Sequence, residues 1–337
     1  MLRVEGEVRI GSLTASTTPQ REARQLLALS GELAMGGVGG RCVVEIADPS
    51  LSAPELGDSV QVSLGKGDGA SPVFTGEVLA VTRTATALRV TAMDGMAKLA
   101  SFDLETAYEA KTAGAIVKDI LGQAGVDAGT VEDGPTLATW VVHKGPRALR
   151  HLQRLAELCG ADLFSDGEGK VCFITASTQG EEHTFQYGGD VLALHLETAT
   201  PAFDSFSVWG EGAASSQGAG KEHWLVKDLS SVNGKASVGE GGSVSPGQEG
   251  ERPRLVLDGS VRSGEAAKAV AEARAAAVAA RPVRGFLQVL GAPGVKPGDR
   301  VTVSELPGEG AAPGPLRVRR VRHRLDARVG FITRMDF

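Results

Sequence analysis

From residue 1 to about residue 102 the chain reads as short apolar runs that alternate with polar positions and are cut by turn residues. Val43-Val44-Glu45-Ile46, Val60-Gln61-Val62-Ser63-Leu64, Glu77 to Val81 and Leu88-Arg89-Val90-Thr91 are the clearest, separated by Asp48-Pro49, Gly57-Asp58 and the glycines at 65, 67 and 69. Side chains on a strand point alternately to opposite faces, so this pattern predicts a meander of antiparallel strands with one wet face. The leucines between Arg21 and Met35 fit a helical and a strand period equally, and both readings stay open.

Between 103 and 197 the period changes, which predicts a small α+β domain. Thr112 can cap a helix carrying Ile116, Val117, Ile120 and Leu121 on one face and ending at Gly125 as C′. A second helix has Pro146 at N1, Leu149, Leu152, Leu155, Ala156 and Cys159 on one face, and Gly160 at its end. The Asp166-Gly167 tip between Leu163-Phe164 and Val171-Cys172-Phe173-Ile174 signals a hairpin.

Strands resume at 191–196 and 203–209, and a third domain spans 198–337. Its segment 210–250 holds ten glycines and little periodicity, so it reads as a long loop with one strand around Trp224-Leu225-Val226. Leu255-Val256-Leu257 reads as a strand, and 263–281, rich in Ala, Glu and Arg, as a helix stopped by Pro282. More strands end the chain.

An internal repeat links the two outer domains. Gly57-Asp58-Ser59-Val60-Gln61-Val62-Ser63 is answered by Gly298-Asp299-Arg300-Val301-Thr302-Val303-Ser304. The turn 65–70 matches 308–314, and Gly76-x-Val78-x-x-Val81 matches Leu316-x-Val318-x-x-Val321. Val90, Met93 and Asp94 then match Thr333, Met335 and Asp336. Ordered matches at similar intervals predict two copies of one antiparallel β unit. The fold class is therefore mainly β (α+β): two antiparallel barrel or sandwich domains flank the α+β domain, with helix 263–281 inserted in the second. A trimer of such a chain would place six similar units around one axis.

Composition narrows the functions. The 337 residues carry 35 Lys+Arg and 41 Asp+Glu, a net charge of −6, which gives no basic footprint for nucleic acid. Cys42, Cys159 and Cys172 are too few and too far apart for a disulfide framework or a zinc ribbon. The charged N-terminus lacks a secretory h-region, and the alanine run 266–280 is broken by Lys268, Glu272 and Arg274, so assembly in the cytoplasm without membrane insertion is expected. Fifteen aromatics argue against a carbohydrate- or receptor-binding module built on exposed rings.

No catalytic constellation emerges. Gly36-Gly37-Val38-Gly39-Gly40 does not open a helix after a strand and reads as a flexible hairpin tip. Gly220-Lys221 and Gly234-Lys235 lack the rest of a P-loop, there is no G-x-S-x-G or H-E-x-x-H, and the six histidines stand singly. Glu181, Glu182 and His183 read as a solvated strand end, and Asp166 to Gly169 as a turn and not a calcium loop. No cofactor or metal is expected, and a tail-tip cell-wall hydrolase stays as the enzymatic alternative. The one electrostatic feature is residues 281–337, with 11 Lys+Arg against 5 Asp+Glu. Arg317 and Arg319 there read first as the wet face of a half-buried strand; the alternative is that Arg317, Arg319, Arg320, Arg322 and Arg324 meet an acidic partner.

Several segments carry a family resemblance: Gly57-Asp58-x-Val60-x-Val62 with Phe74-Thr75-Gly76-Glu77-Val78, Ala107-Tyr108 with the helix 112–125, and Leu149 to Gly160. The helix 264–281, Gly298-Asp299-x-Val301 and Val318-x-x-Val321-x-His323-x-Leu325-Asp326 continue it. In that order they resemble the phage late control protein D family, the baseplate hub of contractile tails, and the N-terminal hub portion of type VI secretion VgrG spike proteins. The resemblance implies two tail-tube-like barrels per chain and a homotrimer. Its partners would be a hexameric inner tube, a trimeric spike and other baseplate proteins, in a phage tail, tailocin or extracellular injection particle. The chain stops at Phe337, after the second β unit, so the spike is expected as a separate polypeptide. Interface residues expected on this reading are the five arginines together with Val60, Val62, Val301 and Val303.

Overall fold

The computed structural model describes residues 4–21, 23–37, 39–47, 53–67, 69–198, 200–210, 232–307 and 314–337. The first unit holds β1 (Glu5–Ile10), β2 (Leu13–Ser16), β3 (Arg24–Ala34), β4 (Arg41–Ala47), β5 (Ser59–Gly65), β6 (Ala70–Arg83) and β7 (Ala87–Met93). In the order β3-β4-β7-β6-β5-β1-β2 and back to β3 these strands close a seven-stranded barrel. Alternation fills it: Val60, Val62 and Leu64 of β5 point inward with Val8, Val44, Phe74 and Val90, while Gln61 faces out. The ambiguous segment 21–35 contains strand β3. A register shift between Leu26 and Ala28 puts Leu26 and Leu29 on the same inner face, so a bulged strand mimics the spacing of a helix.

The middle region contains α1 (Gly95–Ser101), β8 (Thr106–Thr112), α2 (Ala113–Gln123), β9 (Ala128–Val131), β10 (Thr136–Val142), α3 (Ala148–Cys159), β11 (Asp162–Ser165) and β12 (Val171–Ile174). Thr112 caps α2 through Ala115 N–H, and Gly125 takes a positive φ just beyond it. Gly160 ends α3 in the left-handed region. Pro146 stands one residue before the N-cap Arg147 and not at N1, because the chain is still extended there. Helix α1 carries no strong period, and its signal is Asp94, which accepts from Met96 N–H as N-cap and from Gly40 N–H across the barrel rim.

The remaining elements are β13 (Glu182–Gln186), β14 (Val191–Thr198), β15 (Ser205–Trp209), β16 (Asn233–Val238), β17 (Val244–Pro246), β18 (Pro253–Leu257), α4 (Gly264–Ala279), β19 (Val283–Leu290), β20 (Arg300–Ser304), β21 (Leu316–Arg317), β22 (Arg320–Asp326) and β23 (Gly330–Asp336). Two expectations change here. Strand β13 pairs with β20 and β14 with β19, so by pairing both belong to the second β unit and the boundary at 197 moves back to about 180. The glycine-rich segment is not a loop throughout: its described part holds β16 and β17, in the sheet β17-β16-β15-β18. The expected strand at 224–226 lies outside the described residues.

Helix α4 lies in the segment inserted between β14 and β19 of the second β unit, and it packs outside that unit's own core. It covers the sheet β15 to β18, and its buried Ala266, Ala267, Val270, Ala271 and Ala275 join Phe206, Val208, Leu152 and Leu155 in one core with the middle region. Small side chains permit this: a Cβ on Gly234 of β16 would lie 2.4 Å from the α4 backbone. The second β unit is thus split in sequence, with 182–198 and 283–336 brought together around Leu287, Val289, Val301, Val303, Val318, Val321 and Met335.

Candidate assembly surface

The duplication seen in sequence is a duplication of hydrogen bonds. In the first unit Gly57 N–H donates to Val78 O and Val78 N–H to Asp58 O, both at 2.9 Å; in the second Gly298 N–H donates to Val318 O and Val318 N–H to Asp299 O, both at 2.8 Å. Gly57 and Gly298 take φ of +90° and +98°, a conformation that favours glycine. Asp58 and Asp299 each accept the N–H three residues earlier, at Glu55 and Lys296. Val60 then lies opposite Gly76 as Val301 lies opposite Leu316.

The last sequence match shifts. Val81 pairs with Val90, whereas Val321 pairs with Met335, so Met335 and not Thr333 is the counterpart of Val90. A further repeat was not recognised in the sequence: Leu26-Leu27-Ala28-Leu29 of β3 and Val191-Leu192-Ala193-Leu194 of β14 carry the same register shift against β4 and β19. The signal was present as two L-A-L strings, but the first sat in a segment of ambiguous period.

The two units join through β22 of the second and β3 of the first, antiparallel over seven residue pairs from Arg320↔Ala34 to Asp326↔Ala28. One wall therefore runs β14-β19-β23-β22-β3-β4-β7. Its inner side fills the two cores, and its outer side carries the row Gln288, Arg334, Arg322, Glu32 and Arg41. Arg322 Nε donates to Glu32 Oε2 at 2.7 Å, Arg320 Nε lies 3.4 Å from Glu32 Oε1, and Arg324 Nε donates to Asp326 at 2.9 Å. Arg334 stacks over Phe286 at 3.9 Å. A cleft of about 950 Å³ lies on this side, lined among others by Leu27, Ser30, Arg41, Arg89 and Arg324. The face is polar and of mixed charge, as a wet sheet surface requires.

The expected site residues separate into three groups. Arg320, Arg322 and Arg324 are on the open wall, roughly half exposed. Arg317 and Arg319 are neither on a wet face nor free to meet a partner. They turn inward to Asp162 of β11, which is 7% exposed. Arg319 grips its carboxylate with two bonds of 3.1 and 2.7 Å, Arg281 reaches it at 3.3 Å, Arg317 lies 3.7 Å away and also donates to Thr175 O. Burial alone would raise the Asp162 carboxyl, and these guanidinium groups reverse it, holding it below its ordinary range. The break between β21 and β22 aims these arginines at the middle region, which is why an alternating strand pattern misplaced them. Val60, Val62, Val301 and Val303 are at most 5% exposed inside the chain's own cores, so they are packing residues and not an interface.

Other candidate groups are absorbed by the fold. His183 of β13 sits 2.9 Å from Asp299 and beside β20, so it is not a solvated strand end; that hydrogen bond raises its pKa. His323 is buried against Thr333, and burial lowers it to about 4. Asp166 accepts from Glu168 and Lys170 N–H, closing the β11–β12 turn. In the glycine segment Gly37 is tied to the middle region: its N–H donates to Leu163 O at 2.6 Å and Gln153 donates to Gly37 O at 2.9 Å. All three thiols are buried, and burial pushes Cys42 and Cys159 up to about 12 and Cys172 to about 11. Among the described residues no three His, Cys, Asp or Glu side chains cluster as metal ligands, and no helix is long and apolar enough to cross a membrane.

The chain is thus a duplicated β unit fused into one wall over an α+β base. Residues 43–328 match the family model of the phage tail baseplate hub (GPD), and the chain belongs to that family. A tail protein from Neisseria meningitidis MC58 superposes with a TM-score of 0.67 at 15% identity, covering 99% of this chain and 95% of that one. The 43 kDa tail protein of prophage MuSo2 from Shewanella oneidensis gives 0.66 at 13% identity, covering 99% and 98%. An E. coli component of the type VI secretion system, described as similar to T4 tail proteins gp27 and gp5, gives 0.59 at 12% identity, covering 98% and 75%. No curated protein matches the chain in sequence. As a member of this family the chain is a structural component of a phage-type tail.

Proposed function

We propose that this chain is the trimeric hub of a contractile injection particle, a symmetry adaptor between a hexameric inner tube and a trimeric central spike. The observation that carries the reading is the duplication: two β units with the same hydrogen-bond frame lie side by side in one wall. Three such chains around an axis present six similar units to a sixfold partner and three whole chains to a threefold one. The work is done by shape and packed β surface, without catalysis.

Native mass spectrometry over a range of concentrations tests this. The expected species has about 104 kDa, three times the 34.8 kDa chain. A chain that stays monomeric alone and with co-expressed tube and spike proteins overturns the proposal. Zymography on cell-wall substrate is expected to stay blank, and a cleared zone would return the hydrolase reading.

A further inference from the structure

Asp162 faces more positive charge than one carboxylate balances. Arg281 just past α4, Arg317 of β21 and Arg319 between β21 and β22 converge on it, and among the described residues none of the three forms an ion pair with any other carboxylate. Glu132 acts on Arg317 only from farther away and gives its Oε2 to Thr175 N–H, while Arg284 adds to the positive field at Arg281. A guanidinium does not lose its proton in a folded protein, so three charges stand against one.

The first β unit treats the same position differently. Ser59 lies opposite Glu77 as Arg300 lies opposite Arg317, so Glu77 is the counterpart of Arg317. Glu77 pairs with Lys98 of α1 at 2.6 Å, one charge against one. Arg317 has no such balance: its Nη2 donates to Thr175 O, its Nη1 lies 3.7 Å from Asp162, and its Nε is buried without a hydrogen-bond partner among the described residues. Burial pushes both Arg281 and Arg317 below the usual guanidinium range, the mark of cations held where their charge is poorly compensated.

We propose that a single halide ion, chloride in ordinary salt, is the second anion of this cluster, held in a cavity of about 30 Å³ that Arg281, Arg317 and Arg319 line together with Val283, Leu316 and Phe337. That volume is about one water molecule's share of the liquid, so it admits a monatomic ion and excludes a tetrahedral oxyanion such as sulfate or phosphate. Water fits as well but neutralises no charge, and buried charge is costly until it is paired. The paired Nη groups of Arg319 are taken by Asp162, which leaves Arg317 Nε and the N–H groups of Arg281 beyond its Nη2 as donors to the ion. Arg281 is half-exposed, so a small ion has a way in from solvent on that side. Bound there, the ion joins Asp162 in bracing α4 and the second β unit against β11, independently of the oligomeric state.

Thermal unfolding of the full chain at constant ionic strength, with sodium acetate exchanged stepwise for sodium chloride or sodium bromide, tests the site. A ligand bound only by the folded state raises the midpoint as its concentration passes its dissociation constant, so both halides are expected to raise it and acetate is not. General salt effects run the other way, strongly hydrated oxyanions stabilising more than halides. A midpoint indifferent to the exchange, or one that falls as halide replaces acetate, overturns the proposal. Crystals grown in sodium bromide locate the ion: an anomalous peak between Arg281 and Arg317 is expected, and peaks confined to exposed arginines such as Arg41 mean an adventitious ion only and overturn it too. Arg317→Gln is expected to abolish both the halide response and the peak. Should that chain fail to fold, Val283→Ile keeps every charge and fills the cavity, and it is expected to lose both signals; a folded Val283→Ile chain that keeps them overturns the assignment to this cavity.

Discussion

Arg322 and Glu32, 290 residues apart in sequence, face each other across the seam where the two β units become one wall. The seam is held mainly by its backbone ladder, because both side chains are partly in water and the pair is screened. Glu32→Ala is therefore expected to lower stability by less than about 1 kcal/mol. Urea unfolding of the two chains measures this, and a loss several times larger would mean that the ion pair itself fixes the seam.

Asp162 holds the second β unit to the middle region, and its removal is a different matter. Asp162→Asn leaves Arg281, Arg317 and Arg319 without their shared anion in a buried place, where breaking such a group costs about 3–5 kcal/mol. Because the folded carboxyl titrates below its unfolded value, the stabilisation is present above the unfolded pKa and is lost as pH falls through the lower folded one. Acid titration of stability should show this limb in the parent chain and not in the variant.

Val60 and Val301 occupy equivalent inward positions, so Val60→Asp and Val301→Asp are expected to unfold their own β unit before any question of assembly arises. Val60→Ala and Val301→Ala should each cost on the order of 2 kcal/mol and leave oligomerisation intact at matched stability. Native mass spectrometry with calorimetry distinguishes these outcomes from loss of an intermolecular contact.

Two histidines bracket the pH range of stability from opposite sides. His183 is raised by its bond to Asp299, so what it contributes is complete below the unfolded histidine pKa and fades as pH rises through the folded value. His323 is kept neutral by burial near Thr333 with a pKa of about 4, so stability falls as pH drops from about 6.5 toward 4, by up to about 3 kcal/mol. Urea midpoints across pH 4 to 9 should show both limbs, His323→Gln removing the acidic one and His183→Gln the alkaline one.

Local chemistry wrote much of this protein into its sequence. Strand alternation around Val60 and Val301, the Thr112 cap, the glycine stops at 125 and 160 and the repeated Gly-Asp entries at 57 and 298 are short-range features, and short-range physics reads them. Other features needed partners far away in the chain. A bulge at Leu26 to Ala28 left β3 ambiguous between helix and strand; β13 and β14 showed their allegiance only through β20 and β19; and Arg317 and Arg319 looked like surface charges until the bend before β22 turned them onto Asp162. Composition and period determine that a strand or helix forms and which face it buries. Which other element covers that face depends on non-local pairing, and there only the closed tertiary structure decides, because the free energy of each such contact belongs to two segments at once.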